Sequence, residues 1–156
     1  MTQKRSIKYI LRTLCASAAL LATAVLASCE LETSNNGALD GMWHVMRTDT
    51  LATGGFNDLS NQRLFWSFQG KLLVLEDRDA LHPSILMRFN NTTEGKLSVS
   101  DPYINDRDHG DQPLSAVDLL KPYGINANNE EFIVETLKGG KLILKTGDLK
   151  ISFVKF

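Results

Sequence analysis

Few side chains in this sequence carry reactive chemistry. There are two cysteines, Cys15 and Cys29, and three histidines, His44, His82 and His109. No pair of histidines sits at metal-ligand spacing, and no His-Glu-x-x-His occurs. The densest polar cluster is Asp106-Arg107-Asp108-His109-Gly110-Asp111, which begins like a calcium loop. Its glycine falls one place early and its twelfth position is Val117 where a bidentate glutamate belongs. A solvated loop tip is the expectation there. No Gly-x-Ser-x-Gly elbow and no phosphate-binding glycine loop occur. Asp77, Asp79, Asp101 and Asp106 lie near turns, where aspartate is common because it bonds to its own backbone. The chain is therefore expected to be no enzyme and to hold no metal or cofactor.

Cys29 stands apart because of what precedes it. Lys4, Arg5, Lys8 and Arg12 form a basic start without an acidic residue, and no charge follows until after Cys29. The apolar or small run from Thr13 to Ala27 is shorter than the roughly 20 residues a spanning helix needs. No basic stop-transfer cluster follows. This is the layout of an export signal removed in the mature protein, with an uncleaved anchor helix as the alternative.

The segment Leu26-Ala27-Ser28-Cys29 resembles the lipobox of bacterial lipoproteins at every position. The resemblance implies cleavage between Ser28 and Cys29, a diacylglycerol on the Cys29 sulfur, and an acyl chain such as palmitate on the new amine. One chain anchors marginally, at about 0.8 kcal/mol per buried CH₂, whereas two or more hold stably. Cys15 leaves with the leader, so the mature chain has no free thiol and no disulfide. Position 30 is glutamate, so the usual aspartate of inner-membrane retention is missing and the outer membrane is expected. Glu30 and Glu32 loosely resemble a surface-export signal, which leaves the leaflet open. Membrane contact through the Cys29 lipid is the first partner expected.

The leader takes 4 of the 17 basic residues and none of the 18 acidic ones, leaving 13 against 18, a net of −5. That is an ordinary domain charge and speaks against nucleic acid, which needs a basic patch. The organisation expected is a signal peptide over 1–28, a flexible polar tether over 29–39, and one domain over 40–156.

Within 40–156 the apolar residues alternate with period two. Trp43 and Val45 share a face, as do Leu64, Trp66 and Phe68, then Ile85, Met87 and Phe89, and later Leu149, Ile151 and Phe153. The stretch Leu72–Leu75 is apolar on both faces. Gly139-Gly140 and Gly147-Asp148 mark tight hairpins. Eight short strands joined by short links predict an all-β fold, an eight-stranded antiparallel meander barrel. Such a barrel is filled by side chains or holds one small ligand. One connection, 101–130, is long, and Pro113–Pro122 within it predicts a short helix with Leu114, Val117 and Leu120 on one face. That segment is a lid, a plug, or core closing one barrel end.

Asp40-Gly41-Met42-Trp43 resembles the Gly-x-Trp signature of the lipocalin superfamily, and the strand order is similar to small lipocalin-like lipoproteins of Gram-negative bacteria. The resemblance implies a tryptophan packed across the closed end. It departs in the 101–130 connection and in lacking a Thr-Asp-Tyr motif. The expected role is a lipid-anchored, non-enzymatic envelope protein that binds a small apolar ligand or a partner protein. The cavity lining would be Trp43, Leu64, Trp66, Phe68, Met87 and Phe89. The alternatives are an accessory subunit of an outer-membrane complex, and an envelope hydrolase using carboxylates not identifiable here. Asp49-Thr50-Leu51 also resembles an O-glycosylation site used on exported proteins, which marks Thr50.

Overall fold

Side chains that alternate between two faces can bury only one of them, and closing the sheet on itself buries that face completely. A computed structural model of the chain describes residues 34–92 and 94–156. It contains β1 (Gly41–Thr50), β2 (Phe56–Asp58), β3 (Leu64–Gln69), β4 (Leu72–Asp77), β5 (Ile85–Asn91), β6 (Lys96–Ile104), β7 (Gln112–Pro113), β8 (Glu130–Lys138), β9 (Lys141–Lys145) and β10 (Leu149–Lys155). Eight of these form the ring β1-β3-β4-β5-β6-β8-β9-β10, and β10 pairs back onto β1 from Trp43↔Lys155 to Thr50↔Leu149. The expected eight-stranded antiparallel barrel is thus present. The short β2 and β7, which the sequence did not signal, flank β1 and β6.

The inward face is the core. Trp43, Val45, Leu64, Trp66, Phe68, Leu73, Leu75, Ile85, Met87, Leu97, Val99, Phe132, Leu142, Leu144, Ile151 and Phe153 are all buried. In Leu72–Leu75, closure selects Leu73 and Leu75 for the interior and leaves Leu72 on the surface. Besides a register shift between Val134 and Thr136 of β8, two further bulges reset the alternation. One lies between Val45 and Arg47 of β1, so Thr48 turns inward where strict alternation would place Arg47. The other interrupts the β5–β6 pairing between Leu86 and Arg88, opposite Asp101, whose φ is +51°. Strand β6 runs on through it to Ile104.

The two ends differ. At the N-terminal end, Gly37–Leu39 forms a single 3₁₀ turn and Leu39 is buried. The Trp43 indole donates to the Leu39 carbonyl at 2.7 Å. Lys155 Nζ lies 5.1 Å from the centre of the Trp43 ring and donates to the Ala38 carbonyl. Asn36 donates to the Gly70 carbonyl, and Gly70 N–H donates to Ser34 Oγ. The tether expected over 29–39 is therefore shorter on its domain side. Ser34 to Leu39 is fixed to the barrel because Leu39 buries an apolar side chain and Ser34 and Asn36 satisfy backbone groups of the β3–β4 turn.

At the other end the 105–129 connection folds back over the mouth. The short helix expected in this connection is present, narrower than Pro113–Pro122 and in 3₁₀ form, as two successive turns, Val117–Leu119 and Lys121–Tyr123. So short a segment gains little from α-helical propagation, and Pro122 supplies no backbone N–H. Leu114, Leu120, Tyr123 and Ile125 are buried, while Val117 is only partly covered. Of the roles open to this segment, the structure gives it that of a plug that is also core.

Candidate functional site

The six residues expected to line a cavity, Trp43, Leu64, Trp66, Phe68, Met87 and Phe89, all point into the barrel and belong to one buried cluster. They line it by filling it. The Trp66 ring centre lies 5.2 Å from that of Phe153, 5.8 Å from Phe132 and 6.1 Å from Phe68, and Phe68 lies 5.0 Å from Phe89. The pairs are mostly edge-to-face, the arrangement favoured by the ring quadrupole. Strands β3 and β8 stand on opposite sides of the ring. Contact between Trp66 and Phe132 therefore spans the barrel and leaves no lumen at that level.

The plug is tied to this cluster. The Trp66 indole donates to the Tyr123 carbonyl at 3.1 Å, and the Tyr123 hydroxyl donates to the Pro83 carbonyl at 3.1 Å. Burial, reinforced by Asp77 and Glu76, pushes the Tyr123 phenol well above its ordinary range. An unfolded tyrosine ionises near pH ~10. Above that pH the unfolded chain sheds a proton that the fold retains, so this group's stabilisation is complete below pH ~10 and is lost as pH rises from there through the raised pKa of the folded state. Tyr123→Phe is expected to lose about 1 kcal/mol at neutral pH with its hydrogen bond. It is also expected to show a flatter stability profile above pH ~10 than the parent, read by urea unfolding across an alkaline series.

Beside the plug a cleft of about 190 Å³ remains open at the mouth, lined by Thr48 and Thr50 of β1, Asn57 of β2, Leu59 and Gln62 of the following loop, Lys121, Pro122, Gly124 and Asn126 of the plug, and Leu149 of β10. Of these, only Thr50 was marked in the sequence. It is exposed here and pairs with Leu149 across the β1–β10 seam. The other polar members come from separate segments, and no local motif joins them. Thr48 in particular faces the cleft only because the β1 bulge turns it.

The remaining polar candidates have structural explanations. In the 106–111 loop, Asp106 accepts backbone N–H bonds from Asp108 and His109, and its carboxylate pairs with the His109 ring. These His109 bonds hold the Asp106 carboxyl below its usual range. Its acids thus serve a local turn. His44 faces outward, stacked on Phe65 at 4.9 Å, and His82 lies 6.4 Å from the Tyr123 ring. Phe65 was missed in sequence. It faces away from the core, yet His44, Phe156 and Arg78 cover it to 3 % exposure. Ser28 and Cys29 lie outside the described residues.

Two solved structures from Bacteroides resemble this one. A lipocalin-like protein from Bacteroides uniformis ATCC 8492 matches with a TM-score of 0.54 and 20 % identity, over 77 % of this chain and 100 % of that one. An uncharacterized protein from Bacteroides eggerthii DSM 20697 matches with a TM-score of 0.54 and 15 % identity, over 76 % of this chain and 99 % of that one. At such identities the likeness concerns the fold. No curated protein matches the chain. The lipocalin-like domain family matches residues 24–156, the whole barrel with its plug and closed-end tryptophan, and the chain belongs to that family.

Proposed function

We propose that this chain is a non-enzymatic binding protein of the cell envelope, held at the outer membrane by lipid on Cys29, that engages its target at the plugged mouth of the barrel. The observation that carries the reading is the Trp66–Phe132 contact across the interior. An eight-stranded barrel has room for packed side chains or for one small ligand, and here the side chains occupy it. The leader and the Leu26–Cys29 lipobox support the anchor and the address.

Organic extraction of the native protein followed by mass spectrometry tests this. The expected result is acyl chain bonded to Cys29 and no second apolar molecule in stoichiometric amount. Cys29→Ser is expected to move the protein out of the membrane fraction. A stoichiometric apolar ligand would return the barrel interior as the site.

An accessory-subunit role is favoured by one feature, the aromatic cluster on the outer wall. Phe156 is 75 % exposed and its ring centre lies 5.2 Å from Phe65, with the Arg78 guanidinium 5.2 Å from the Phe156 ring. A photo-crosslinker at position 156 that captures one stoichiometric protein in intact cells would support that role.

A further inference from the structure

We infer that the mouth cleft is a site for one neutral sugar ring, free or as the end of a glycan. This rests on the reading above that the mouth is the working face, and it names the ligand class. Five side chains that can hydrogen bond converge on the cleft: Thr48, Thr50, Asn57, Gln62 and Asn126. None of their side-chain polar atoms bonds to another described residue. Four of the five, Thr50, Asn57, Gln62 and Asn126, are exposed.

Thr48 is the most covered of the five, 8 % exposed as a residue. Its hydroxyl has no partner among the described residues and is not sealed from solvent, so a ligand hydroxyl in the cleft can bond to it.

Charge and size narrow the class. The one cation on the lining, Lys121, is held by Asp118 at 2.6 Å, so the pair presents little net charge to an anion. An apolar ligand would strand the amides and hydroxyls unpaired. Drug-sized apolar ligands occupy pockets from about 300 Å³ upward, and this cleft offers about 190 Å³. Amides and hydroxyls around a small floor of Leu59, Pro122 and Leu149 suit the alternating C–H and O–H groups of a pyranose.

Saturation-transfer NMR on the native protein, in a detergent without a sugar head group, tests the assignment. The probes are glucose, galactose, mannose, rhamnose and N-acetylglucosamine, with their methyl glycosides and short oligosaccharides, and glucuronate as a charged control. The expected result is transfer to at least one neutral sugar. Asn57→Ala with Gln62→Ala, both on the surface, should weaken it about tenfold or more, as two lost hydrogen bonds would. Thr48→Val, matched in shape, should weaken it about five- to tenfold, with an unchanged circular dichroism spectrum showing an intact barrel. Tighter binding of oligosaccharides than of single sugars would identify a glycan as the source, and equal binding a free sugar.

No transfer from any neutral sugar, binding of glucuronate alone, or binding indifferent to these substitutions overturns the assignment. Those outcomes leave the sealed interior standing, which organic extraction examines separately.

Discussion

Trp66→Ala is expected to lower the unfolding free energy by about 3–5 kcal/mol, the range for a large aromatic truncated in a core. A domain of this size has about 5–15 kcal/mol in all, so the variant should sit near the edge of folding. Two losses combine. The first is the void left when the ring that touches Phe68, Phe132 and Phe153 is removed. The second is the Tyr123 carbonyl, which would lose the Trp66 indole as its donor while still buried. Urea unfolding gives the magnitude. Trp66→Phe keeps much of the volume and is expected to cost less than half as much, which separates packing from a general intolerance of change at this position. An apolar void in a folded barrel stays dry and accepts small hydrophobic molecules. The alanine variant, wherever enough of it folds, should therefore bind a naphthalene dye that the parent does not. Dye binding by the parent protein would mean that the interior is not filled.

What the sequence could convey about this barrel was set by period. Leu64, Trp66 and Phe68, like Ile85, Met87 and Phe89, face inward where two-residue alternation places them, because closure leaves no other site for their area. Trp43 lies at the closed end where the Gly-x-Trp resemblance puts it. The failures occur where alternation is reset or where burial comes from outside the sheet. Arg47 continues the Trp43–Val45 register on paper, but a single inserted residue turns Thr48 inward in its place. Phe65 sits on the polar face and is covered by the chain's own terminus through Phe156, a contact with no local signal. The plug was visible as an unusually long link with buried leucines, yet its 3₁₀ geometry depends on what it packs against. The cleft was invisible, since Asn57 of the short β2 and the loop residues Gln62 and Asn126 share no local motif until closure brings them beside Thr48.

The plug's fit can be measured through Gly124. This residue ends the second 3₁₀ turn with φ +85°, and a Cβ there would lie 2.7 Å from Ile151 Cδ1 and 3.2 Å from Ile151 Cγ1. Gly124→Ala thus meets two obstacles. The left-handed backbone costs an L-residue about 1–2 kcal/mol, and overpacking adds about 1–3 kcal/mol. A loss of about 2–5 kcal/mol in urea unfolding is expected. The two parts separate in a double-mutant cycle with Ile151→Val. Valine lacks the Cδ1 methyl that makes the closest approach, and alone it should cost about 0.5–1.5 kcal/mol. In that background Gly124→Ala should be milder by about 1 kcal/mol or more, a favourable coupling of the size seen between touching residues. Strict additivity would mean that the plug yields by moving away from β10. In that case the alanine variant should expose Trp66 to an aqueous fluorescence quencher and admit apolar dye without any change to the core itself. The cycle therefore tells whether the seal over the barrel is a rigid part of the core or a segment that can lift. That property decides whether the interior is closed for good or only while the plug is down.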